Sequence, residues 1–237
     1  MLIRHAKTFN TGAILAVTFL GVLILIFSPI FPGQKNGLDF SDDLFNKLSK
    51  GSSYFIPEIG KNAQKYSGTN ISVSVKMDKP EQVDKAVKML ITAGVQVGAK
   101  DTELKITGDL GKLLGQVLKD SDAMYKNNGT EVSGLYGFGE KDVMALWWSV
   151  LGKMDKELKK EKKVEESNMV SAVMKKGVEP AFNYYGIEAQ SVADKAVIMT
   201  ALLVFYVAYT MWWGYAIFFM FDGVGLSMKK AKVKKEV

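Results

Sequence analysis

The chain contains no cysteine and a single histidine, His5. Without cysteine there is no disulfide, no thiolate nucleophile, no iron–sulfur ligand and no c-type haem attachment motif. With histidine confined to the N-terminal tail, imidazole metal sites and Ser-His or Cys-His catalysis have no basis in the main body of the chain. Charge is the third thing missing, and it is missing in two places. Residues 196–221 run for 26 positions without Asp, Glu, Lys or Arg. As a helix this run is about 39 Å long, more than the roughly 30 Å hydrocarbon core of a bilayer. Asp194 and Lys195 bound it on one side and Asp222 on the other. Residues 11–31 form a second uncharged run, of 21 positions.

These runs predict two transmembrane helices, at residues 11–32 and 196–222. A cleaved signal peptide would have an apolar core of about 7 to 15 residues and a small-residue exit. The first run is longer and leaves through Ser28-Pro29-Ile30-Phe31-Pro32-Gly33, which reads as an uncleaved signal anchor. Neither span carries an ionisable side chain, so neither reads as an ion or proton path. Neither carries histidine, so a haem held between them is not expected.

The formal net charge of +6 belongs to the ends. Arg4 and Lys7 supply +2, and the lysines at 229, 230, 232, 234 and 235 against Glu236 supply +4, leaving about +1 for the rest once Asp222 is set aside. Basic tails point to the cytoplasm. The expectation is a two-pass protein of the cytoplasmic (inner) membrane, with tails 1–10 and 223–237 inside. About 160 residues between the spans then lie in a periplasmic or extracytoplasmic compartment. Basicity confined to tails is a topology signal and argues against a nucleic-acid partner.

The middle of the chain reads as an α+β domain. Residues 33–69 form an exit linker and two short helices, at 41–50 and 57–66. In residues 70–138, Ile71, Val73 and Val75 alternate with polar residues as a half-buried strand. Pro80 opens a helix with Val83, Ala86, Val87, Leu90 and Ile91 at helical spacing, ended by Gly94. Val95 and Val97 begin a second strand, and Leu104 and Ile106 alternate in a third. Asp109 caps a helix that turns Leu110, Leu113, Leu114, Val117 and Leu118 inward. Residues 130–136 are read as a fourth strand. The order βαββαβ is the ferredoxin-like arrangement, here flanked by the two spans. Residues 139–195 continue as a helical extension to the membrane. Its first helix carries the stripe Val143, Leu146, Trp147, Val150, Leu151, Met154 and Leu158. The aromatics Phe182, Tyr184 and Tyr185 suit an interfacial belt.

No catalytic constellation emerges. The acid pairs Asp42/Asp43, Asp120/Asp122 and Glu165/Glu166 read as caps or surface groups. Gly134, Gly137 and Gly139 match neither nucleotide-loop pattern. The twelve methionines are scattered along the chain, as core packing requires, and not clustered for copper. No cofactor and no bound metal are expected, and no enzymatic activity.

The remaining pattern is one of surfaces. The second span is crowded with aromatics and interspersed with small residues, the composition by which helices associate in lipid. Ala208, Trp212, Trp213, Gly214 and Ala216 are the candidate packing residues there. Trp147 and Trp148 add a second contact, since adjacent helical residues point about 100° apart and one of them must turn outward. The function expected is a non-catalytic accessory or structural subunit of a multi-subunit membrane complex, respiratory or otherwise energy-converting. It would brace integral membrane subunits, and a periplasmic or extracellular protein, with its helices and outer domain. The alternative is a membrane-tethered extracytoplasmic binding or sensing module.

Overall fold

The computed structural model describes residues 3–226. The basic tail expected at 223–237 therefore lies, from residue 227 onward, outside the described residues. The chain divides into two compact units, residues 1–45 with 191–237 and residues 46–190. The first division falls inside one helix.

Unit 1 is built on two helices long and apolar enough to cross a membrane, α1 (Ala6–Phe27) and α10 (Ala196–Gly223). The first begins five residues before the expected boundary and ends five residues early. Pro29 explains the early end. It drives the preceding Ser28 into extended backbone (ψ 149°), and a helix cannot continue through that conformation. The second matches its expected limits to within one residue and is preceded by a 3₁₀ turn, Ala193–Lys195. The N-terminal half of α2 (Gly37–Ser52) also belongs to this unit.

In unit 2, α3 (Ile56–Gln64) leads to β1 (Asn70–Lys76), α4 (Glu81–Thr92), β2 (Gln96–Lys100), β3 (Glu103–Asp109) and α5 (Leu110–Tyr125). The sheet order is β1-β3-β2, with both pairings antiparallel. Strand β1 alternates strictly between exposed and buried positions, as its sequence predicts. Gly94 ends α4 with a positive φ of 80°, a conformation that costs glycine little. Met89 is buried in α4, whereas Ile91, expected inward, is exposed. The Asp109 side chain accepts from Lys112 N and from Gly68 N, so one carboxylate both caps α5 and fastens the preceding turn. Those backbone donors, Gly68 first, hold its pKa below the usual carboxylate value.

The fourth strand is absent among the described residues. Residues 130–136 lie instead in α6 (Gly129–Tyr136). Val132 and Tyr136, four apart, are both buried, while Leu135 is exposed. That is a helical period, and Gly137 in the left-handed conformation (φ 75°) closes the helix. The ferredoxin-like arrangement is therefore not completed. The unit is a mixed α+β fold dominated by helices around a three-stranded sheet.

The chain continues through α7 (Glu140–Lys160), α8 (Val164–Val173), a π-helical turn (Met174–Val178) and α9 (Glu179–Asn183). Every residue of the stripe expected on α7 is buried. Helix α7 packs against β1 and α8. One hydrophobic core runs from Ile56 to Ala181 and joins the sheet to the helices before and after it. The π turn brings the backbone of Gly177 against the Leu118 side chain, where an added Cβ would lie 2.9 Å from a methyl carbon.

Candidate functional site

Two polar nodes organise unit 2. The first is Asp120, expected at the surface but only 3% exposed. Its Oδ2 accepts from the Tyr136 hydroxyl (2.6 Å) and from the Trp147 indole N–H (2.9 Å), and its Oδ1 accepts from Gln116 Nε2 (2.7 Å). Burial pushes the Asp120 pKa up, and the three donors offset this only partly. The same node raises the Tyr136 hydroxyl, first by burial and then by its bond to the carboxylate. Trp147 is thus committed to the interior, fully buried and donating to Asp120, and it offers nothing to a partner.

The second node is Lys50, also 3% exposed. Its ammonium donates to Asn127 Oδ1 (3.0 Å), the Tyr184 carbonyl (3.1 Å) and the Ile187 carbonyl (2.6 Å), and lies over the Tyr125 ring. Three acceptors match the three protons of the charged form. Burial acts against that form and lowers the pKa. The Tyr125 hydroxyl donates to the Lys50 carbonyl, and burial raises its pKa to about 12. Asn127 completes the node from a left-handed backbone (φ 64°), accepting from Gly186 N and donating to Ile187 O. The two ends of unit 2 are so fastened together, and Gln190 N donates to Lys47 O (3.0 Å) beside them. Lys50 and Asp120 gave no advance sign in the sequence, because a buried charge is recognised by its partners and those are distant along the chain.

Trp148 is the outward member of its pair, at 40% exposure. With Met144, Ala145, Val178 and Phe182 it lines an apolar cleft of about 360 Å³, rimmed by Glu179 and Asn183. The cleft sits beside the π turn, and such turns recur at functional sites. Phe182 is equally exposed, whereas Tyr184 and Tyr185 pack against the core.

In unit 1 the candidate packing residues separate into two sets. Ala216 is buried against α1, where a Cβ on Gly12 would come within 2.8 Å of the Ala216 carbonyl and 2.6 Å of Met220 N. Trp212 donates its indole N–H to the Leu15 carbonyl (3.1 Å), and Tyr209 donates to the Phe19 carbonyl (3.0 Å). Phe19 stacks on Tyr209 at 4.0 Å and meets Trp213 at 4.7 Å. Trp212, Trp213 and Ala216 therefore serve the contact between α1 and α10 within this chain. Ala208 and Gly214 do not. Both are exposed, and nothing lies within 4 Å of where a Cβ on Gly214 would be. Gly214 lies roughly 160° around the helix from Ala216. Val207, Met211, Phe218 and Phe221 are exposed and fall at spacings of three and four with it, making one outward stripe.

Among the described residues there is no group of three or more His, Asp or Glu placed to hold a metal ion. No protein family, no curated protein and no solved structure matches the chain.

Proposed function

We propose that this protein is a non-catalytic accessory subunit of a multi-subunit membrane complex. It crosses the cytoplasmic membrane twice through α1 and α10, keeps both tails in the cytoplasm, and displays unit 2 on the far side. The observation that carries this reading is the division of labour on α10. The close approach to α1 is supplied by Gly12, Ala216, Gly223 and the aromatic tips. Gly214 is left open in the middle of an exposed apolar stripe. Association of helices in lipid depends on backbone proximity, which a glycine provides. A helix needed only as a tether has no use for a second close-packing face. The occupant of that face is another integral membrane helix.

The test is gentle detergent extraction followed by native electrophoresis and mass spectrometry. The wild-type chain should migrate with other membrane subunits in fixed stoichiometry. Gly214→Ile should release it, because the new side chain props the partner helix away while α1 is untouched. Gly21→Ile, at the equally open glycine between exposed Val17 and Ile24 on α1, shows whether a partner also packs on that helix. Recovery of the wild-type protein as a free monomer or homodimer would overturn the subunit reading in favour of a tethered binding module.

A further inference from the structure

Unit 2 exposes three large aromatics near one another. Trp148 and Phe182 line the cleft described above, and Phe55 lines an adjoining one of about 230 Å³. The two clefts share Glu179 and Asn183, so they form one continuous surface around α9. Phe55, Trp148 and Phe182 are each 40% exposed. Lys175 and Lys176 are exposed on the same surface, and the Lys176 ammonium lies 5.7 Å from the centre of the Phe55 ring. Exposed aromatics gathered into one patch mark a contact surface, and aromatic rings interleaved with lysine are the composition of a membrane interface.

Position in the chain selects the occupant. Phe55 follows the end of α2 by three residues, and Phe182 lies in α9, eight residues before Gln190. Lys50 bonds the carbonyls of Tyr184 and Ile187, and Gln190 bonds Lys47, so both ends of unit 2 leave it beside this patch. Gln190 is separated from α10 by residues 191–195 alone. Six residue steps reach at most about 20 Å. Chain length thus tethers Gln190, and with it unit 2, to the start of α10, and a tethered unit meets a bilayer spanned by that helix at high effective concentration.

We infer that Phe55, Trp148 and Phe182, flanked by Lys175 and Lys176, form an interfacial footprint by which unit 2 rests on an anionic bilayer surface. The rings enter the layer between headgroups and acyl chains. The two ammonium groups meet lipid phosphates, and the Glu179 carboxylate remains at the hydrated level. The footprint rests on the reading that α1 and α10 cross the membrane, but it assigns a lipid partner to a part of the chain outside both spans. It leaves the outward stripe of α10 free for a protein partner.

The cysteine-free chain allows a direct test. Phe182→Cys, Phe55→Cys, Val207→Cys and Lys100→Cys, made singly in the full-length protein, are labelled with an environment-sensitive fluorophore. The proteins are placed in nanodiscs of phosphatidylcholine with phosphatidylglycerol, with and without spin-labelled lipid. The expected result is blue-shifted, lipid-quenched emission at 182 and 55, strong quenching at 207, and solvent-like emission at 100. Lys175→Glu with Lys176→Glu should shift the probe at 182 back toward its solvent value. Quenching at 207 with solvent-like emission at 182 and 55 would overturn the footprint and leave the spans standing. Absence of quenching at 207 would overturn the spans and the footprint together. Equal quenching at all four positions would show the dye partitioning by itself and overturn the footprint. A probe at 182 that is shielded in native membranes but solvent-like in nanodiscs assigns the patch to a protein and equally overturns it.

Discussion

Asp120 illustrates what one buried carboxylate does when its partners are neutral. Asp120→Leu strands the Tyr136 hydroxyl and the Trp147 indole N–H in the core, at a cost of about 2–6 kcal/mol for the two donors left without an acceptor. Asp120→Asn keeps an acceptor of the same shape and should cost far less, as thermal or denaturant unfolding of the two variants would show. The raised pKa adds a pH signature. A carboxyl that holds its proton more tightly when folded stabilises the fold below its unfolded pKa, and that contribution is lost as pH rises through the folded value. The stability difference between wild type and Asp120→Asn should therefore move against wild type as pH increases from about 4 upward, since the unfolded reference for Asp is about 3.9. A difference that stays flat with pH would show that folding leaves the Asp120 pKa where it is in the unfolded chain. At the Lys50 node, Lys50→Met removes three hydrogen bonds that join residues 50, 127, 184 and 187. The expected outcome is faster proteolysis and amide exchange at residues 184–190, with the sheet unaffected.

The elements differ in how plainly they were written in the sequence. Strand β1 and helix α7 were legible because each buries one face only, so polarity alternates at the period of the backbone, and α5 was legible in its first half, where the leucines and Val117 keep helical spacing. Helix α10 was legible because charge is absent for longer than any core helix requires. Residues 130–136 were misread. Val132, Gly134 and Tyr136 alternate as they would on one face of a strand, and only the bond from Tyr136 to Asp120 shows why the i, i+4 pair wins. The candidate site was less legible than the fold. Small residues on α10 could be recognised as packing residues, but not assigned between α1 and an outside partner. That assignment depends on which turn of α10 meets Gly12, a contact more than two hundred residues apart in sequence. The contact yields its own prediction. Gly12→Val must displace backbone atoms of α10 and should lose the hairpin at a cost of about 1–3 kcal/mol, the usual penalty of overpacking. Gly21→Val should be silent. Crosslinking between cysteines placed at His5→Cys and Val224→Cys, beside the hydrogen bond from His5 N to the Gly223 carbonyl, would report the loss.

At the scale of the molecule, the two units give topology a simple readout. With no native thiol, a cysteine placed at Ser52 or at Lys232 is the sole target for a membrane-impermeant reagent. Position 52 should react in intact cells, and position 232 only after permeabilisation. Reaction at 232 without permeabilisation would remove the cytoplasmic assignment of the C-terminal tail, and no reaction at 52 in intact cells would remove the placement of unit 2.

The bond between Gln190 and Lys47 makes residues 46–190 a closed loop interrupting the chain between its two long apolar helices. A domain whose ends meet can be lifted out of its host and inserted elsewhere without strain. This one should tolerate transplantation into a surface turn of an unrelated carrier. The hairpin, rejoined by a brief glycine-serine bridge, should still insert and find its neighbours. Membrane assembly and whatever unit 2 does could then be altered independently, each piece being a portable part with its own reason to fold.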